Sequence, residues 1–141
     1  MTFLQALYGS QYQEIAARGK DGNKGRFNGN LFLTAFIILF IFVLIALLNK
    51  LTTIFSAVSG NYVESLTGIS SGRTAGKILA IPLMFVIYIF VSKTVGTQKN
   101  FDSIVESFVK LPDEIRKTAN LKVLKPFFIL LILFLILIII S

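Results

Sequence analysis

The stretch Leu31 to Leu48, LFLTAFIILFIFVLIALL, decides the fold class of this chain. No charged residue falls between Arg26 and Lys50, and about 27 Å of helix approaches the ~30 Å hydrocarbon thickness of a bilayer. A first membrane span is expected over 31–49. Two further apolar blocks follow. Ile78 to Ser92 lies between Lys77 and Lys93 and gives only about 22 Å of uninterrupted apolar helix. A span over 74–95 therefore requires both lysines to snorkel. The third block, Phe127 to Ile140, is entered through Pro126. Either Pro126 occupies a first helical turn, where its missing N–H costs nothing, or the helix starts near Leu121 and Pro126 kinks it. The third span is taken as 125–141.

The composition agrees. Apolar residues make up 55% of the 141 residues and charged residues 15%, too apolar a balance for a soluble domain of this size. The expected fold class is an all-α integral membrane protein, one membrane domain of three transmembrane helices plus amphipathic interfacial helices. Cysteine, histidine and tryptophan are absent, which excludes disulfides, thiolate and imidazole metal sites, Cys nucleophiles and Ser-His-Asp triads. The net charge of +7 is spread beside the apolar blocks rather than along one stripe. It therefore speaks for head-group attraction and membrane orientation, with no nucleic-acid partner.

The polar start of the chain does not fit a cleavable secretory signal. Phe3, Leu4, Leu7, Tyr8, Tyr12, Ile15 and Ala16 recur at helical spacing, predicting an amphipathic helix over 1–18 that lies in the membrane interface. Residues 19–30 carry Gly19, Gly22, Gly25 and Gly29 among Asn and basic residues. They read as a flexible linker, since no phosphate-binding glycine pattern is present. Between spans one and two, residues 50–73 form an outer loop in which Leu51, Ile54, Phe55, Val58 and Tyr62 keep a helical stripe. Either span one continues outward, or this piece lies flat or re-enters. Its stripe is a candidate docking face. Gly72, Gly76 and Ala80 form a small-xxx-small ladder into span two and are candidates for close helix packing, while Pro82 is expected to kink that span.

Residues 96–124 form the second connecting segment. Phe101, Ile104, Val105, Phe108 and Val109 make an amphipathic stripe, read as interfacial or partner-facing, with Asn100 as N-cap. Pro112, Asp113 and Glu114 open a second short helix. Lys93, Lys122 and Lys125 are the expected head-group contacts. Asp102, Glu106, Asp113 and Glu114 lack the spacing of a cation loop, so no metal and no cofactor is expected.

Orientation follows from basic residues, which resist translocation. With three spans, eleven Lys and Arg fall on the side of the amino terminus and segment 96–124, against Lys50, Arg73 and Lys77 on the other. A bacterial inner membrane, a cytoplasmic amino terminus and an external carboxyl terminus are expected. None of the apolar blocks holds an ionisable residue inside it, as ion pathways and intramembrane catalysis require. The functional expectation is a non-catalytic accessory or assembly subunit of a larger membrane complex, or a homo-oligomer, partnered by lipid and other membrane subunits. The alternatives are a membrane-permeabilising protein or an oligomeric carrier of lipid or small solutes. In size and span number the chain resembles small phage holins, in layout only. It departs from those that carry a charged cytoplasmic tail by ending outside in bare hydrocarbon.

Overall fold

The computed structural model describes residues 1–59 and 73–140, with side chains described for 1–51 and 81–140. Every element among the described residues is helical: α1 (Phe3–Ala17), α2 (Lys24–Ser59), α3 (Arg73–Thr94), α4 (Gln98–Val109), α5 (Asp113–Lys117) and α6 (Ala119–Ile140). Among the described residues two stretches are long and apolar enough to cross a membrane, Lys24–Leu51 and Asp113–Ile140. A third passes if Ile81–Thr94 and Gln98–Val109, bent by 66° at a short break, are one span. The architecture is that of a helical membrane protein.

The central helix is α2, which packs against α3, α6 and α1. Phe32 meets Phe127, Phe42 stacks on Phe134, and Lys50 Nζ donates to the Ile140 carbonyl at 2.6 Å. These pairings make α2 and α6 parallel. By contrast Arg26 meets Gly96, Asn30 meets Ser92, and Ala35 shares a cleft with Met84 and Phe85, so α3 runs antiparallel to α2. Among the described residues α3 and α6 share no extensive contact, and the long helices form an open row with α2 in the middle. At one end of the row α1, α4 and α5 form a cap. At the other, a lysine side chain satisfies a carbonyl in the last turn of α6, where the helix dipole favours a cation.

Three expectations are corrected. The first concerns α1. Ala6, Leu7, Tyr8, Gly9 and Ser10 are all buried, so the middle of this helix is covered on every side by protein, and a polar face towards water is left only near its end, at Gln13 and Glu14. The apolar stripe supplies only one contact surface. The small residues Ala6, Gly9 and Ser10 supply a second, where α4 and α6 come close. Thr2 and Gln5 cap the start reciprocally. Gly19, at φ 69, ends the helix in a Schellman turn, with Gly19 N donating to Ala16 O and Lys20 N to Ile15 O.

The second concerns the supposed linker, because helix begins at Lys24 within it. Gly22, Gly25 and Gly29 stand three and four residues apart, and a Cβ at each would run into Tyr12, the Tyr12 backbone and Tyr8 respectively. Their role is close approach, which outweighs the low helix propensity of glycine.

The third concerns α4. Phe101, Val105 and Phe108, expected to face the interface or a partner, are buried inside the chain against α1, with Ile104 packed at the edge. The Phe101 ring meets both Tyr8 and Tyr12. The N-cap is Thr97, whose hydroxyl accepts from Asn100 N, and not Asn100, which lies inside the first turn.

For the third span the structure decides between the two starts that the sequence left open. α6 starts at Ala119, leaving Pro126 inside the helix. Pro82 is likewise internal to α3, and each ring removes one helical N–H. As for the stretch 50–59, α2 runs unbroken to Ser59, about 54 Å in all, so span one continues outward. Leu51 is exposed, whereas the side chains of Ile54, Phe55 and Val58 lie outside the described residues. Gly72 also lies outside them. Gly76 and Ala80 belong to α3 by backbone alone.

Candidate functional site

The cap and the long helices are joined by a polar junction buried where α1, α2 and α3 meet. Asn30 lies one turn into α2 and is only 2% exposed. Its side-chain oxygen accepts from Tyr8 Oη at 2.7 Å. Its amide donates to Ser92 Oγ and to the Gly96 carbonyl, each at 3.3 Å. Arg26 Nη1 donates to the same Gly96 carbonyl at 3.2 Å. The Asn30 main-chain carbonyl accepts from Thr34 Oγ1 at 2.7 Å. Gly96 is the one residue that fits below Asn30, since a Cβ there would stand 1.8 Å from its oxygen.

Each polar group of the junction has a partner, as groups so deeply buried require. Arg26 and Asn30 are four residues apart and so share a face of α2, which meets Ser92 in the last turn of α3 and Gly96 just beyond its end. The arrangement locks three elements far apart in sequence. Thr34 bonds its own helix, whereas Ser92 bonds across to α2.

Burial pushes the Tyr8 phenol up to about 12, against the lowering pull of Arg26 and with a further upward push from Tyr88. Tyr8 is therefore a neutral donor at physiological pH. An unfolded phenol ionises near ~10, so stability that is full below that pH is lost as pH rises through about 12. A phenolate would face the Asn30 oxygen with no proton between them. In an alkaline titration followed by phenolate absorbance, one of the four tyrosines is expected to ionise last, as the cap opens. Tyr8→Phe should remove that step, and its persistence would assign it elsewhere.

The junction is built from Tyr8, Arg26, Asn30, Thr34, Ser92 and Gly96, and no group of three or more acidic, His or Cys side chains stands together among the described residues. Of the expected head-group lysines, Lys93 and Lys125 are exposed, but Lys122 Nζ donates to the Met1 carbonyl, tying α6 to the start of the chain. Outside the cap the long helices are sparsely covered. Only 17% of the apolar window of α2 and 11% of that of α6 are buried, and Phe85, Val86 and Phe90 of α3 are more than half exposed.

Sequence reading named Tyr8 and Ser92 but placed Asn30 in a linker and missed the junction. The signal available was one i,i+4 polar pair beside a glycine, Asn30 with Thr34 next to Gly29, and the matching spacing of Ser92 from Gly96. Comparison of the chain with protein-family models, with curated proteins and with solved structures returns no match in any of the three.

Proposed function

We propose that the protein is a non-catalytic membrane subunit that acts by helix packing, either with other membrane proteins or with further copies of itself. α2, α3 and α6 each cross the bilayer, α3 as a span of its own. α3 has 22 residues, about 33 Å, and the 66° bend after it leads into a helix whose apolar face is covered by α1. The row brings residues 1–26 and 93–125 to one end, where eleven of the fourteen Lys and Arg collect. By the positive-inside rule the cap is cytoplasmic and Ile140 external, in the inner membrane of a bacterium.

The observation that carries this reading is the open row itself. Among the described residues α3 and α6 flank α2 without extensive packing on each other, so the three helices close no central channel within one copy. They leave long apolar faces on which another helix can pack, and association in lipid depends on such complementary faces. Photo-crosslinkable residues placed at Phe90 and Ile132, both outward-facing, test it in intact membranes. Discrete bands at twice the 15.7 kDa of one chain, or at another fixed larger mass, are expected. Lipid adducts of a single chain alone would overturn the proposal, as would collapse of the membrane potential on expression, which belongs to a permeabilising protein.

A further inference from the structure

Two clefts meet at Phe27. The first, of about 410 Å³, lies between the end of α1 and the start of α2, and Arg18, Lys20, Lys24 and Asn28 line it with Ile15 and Phe27. The second, of about 210 Å³, runs between α2 and α3 and is walled by Phe27, Leu31, Ala35, Met84 and Phe85. Its one hydroxyl on α2, that of Thr34, is already committed to the Asn30 carbonyl.

Lys24, Phe27, Asn28, Leu31 and Ala35 follow one another at helical spacing, so one face of α2 carries both clefts. From Lys24 to Ala35 the rise is about 16 Å, close to the ~15 Å depth of one bilayer leaflet. Charge changes along that path in the sense that a lipid requires. The first cleft contains three cations and no carboxylate in its wall. Arg18 is paired with Glu14, whereas among the described residues Lys20 and Lys24 make no ion pair. The second cleft is apolar and opens sideways, with Phe27 and Phe85 more than half exposed. Ala35, small and exposed, leaves the recess between Leu31 and Phe85 unfilled.

We propose that this continuous track holds one anionic glycerophospholipid, with its phosphate between Lys20 and Lys24 and one acyl chain along Leu31, Ala35, Met84 and Phe85. The proposal rests on the reading above only in placing α2 and α3 in lipid.

The natural chain has no tryptophan, so Phe27→Trp supplies a single reporter at the meeting point. The full chain is reconstituted in vesicles carrying a small fraction of phosphatidylglycerol or phosphatidylcholine, each brominated on the same acyl carbons. Quenching by the anionic lipid is expected at about tenfold lower mole fraction, at about fivefold for each lysine before mutual screening. Lys20→Gln with Lys24→Gln should abolish that preference, and Lys99→Gln with Lys117→Gln, an equal loss of charge elsewhere, should leave it. Ala35→Phe, which fills the recess, should weaken quenching by both lipids. Equal quenching by the two head groups, a preference that survives Lys20→Gln with Lys24→Gln, or its loss to inorganic phosphate would each overturn the site. No quenching by either lipid would overturn the site together with the placement of these helices in the membrane.

Discussion

Gly25→Leu is expected to lift α1 off α2 and to lower the melting temperature of the detergent-purified protein by about 10 °C. A Cβ at Gly25 would lie 2.8 Å from the Tyr12 backbone nitrogen and 3.0 Å from the Gln11 carbonyl carbon. A neighbouring side chain can rotate away from such a clash, but the backbone of a packed helix cannot. Overpacking of this kind costs about 3 kcal/mol at the upper end of its usual range. Leucine has the better helix propensity, by about 1 kcal/mol, so the clash decides the sign. Gly22→Ala should cost less, because its obstacle is the Tyr12 ring, which is only half buried. Gly19 separates packing from conformation. Nothing lies within 4 Å of a Cβ there, but φ is +69, so Gly19→Asn should be tolerated and a β-branched residue should not. If Gly25→Leu melts within two or three degrees of the natural protein, α1 does not seat on the glycines of α2.

That glycine seat marks where sequence reading and structure part company. The apolar run 31–48 was legible because a bilayer selects on length and on absence of charge, and both are local properties. The cap obeys a different rule. Its contacts depend on which residues are small, and a glycine that permits close approach looks, in one sequence, the same as a glycine that permits flexibility. Gly22, Gly25 and Gly29 show their function only when Tyr8 and Tyr12 are set against them. The amphipathic stripe of α4 had the same ambiguity. Phe101, Val105 and Phe108 establish that one face is apolar and leave open whether lipid, a partner or α1 covers it. The start of α2 was hidden by asparagine, whose helix propensity is poor in isolation but whose amide is needed at a buried crossing point. The open row of α3, α2 and α6 was not legible either, because the apolar residues of a membrane helix run around its whole circumference and give no period from which neighbours can be inferred.

Asn30→Leu should be the most damaging change that leaves the shape of the core intact. Leucine fills nearly the same volume, so the cost is one of polar satisfaction and not of packing. The Tyr8 hydroxyl, fully buried, loses its acceptor at 2.7 Å, and Ser92 loses a donor. The Gly96 carbonyl keeps only Arg26. An unsatisfied buried donor costs about 1–3 kcal/mol and each lost hydrogen bond about 1 kcal/mol. The greater apolarity of leucine returns part of that, for a net loss of about 3 kcal/mol. Tyr8→Phe alone leaves the Asn30 oxygen unpaired and should cost about 2 kcal/mol. The two changes together should cost clearly less than their sum, because a phenylalanine and a leucine facing one another leave neither side of that contact unsatisfied, and a coupling of about 1–2 kcal/mol is expected. Chemical denaturation of the four proteins in one detergent measures it. Strict additivity would mean that Tyr8 and Asn30 do not bond in the folded protein, and the cap would then be held to α2 by its glycines and apolar contacts alone.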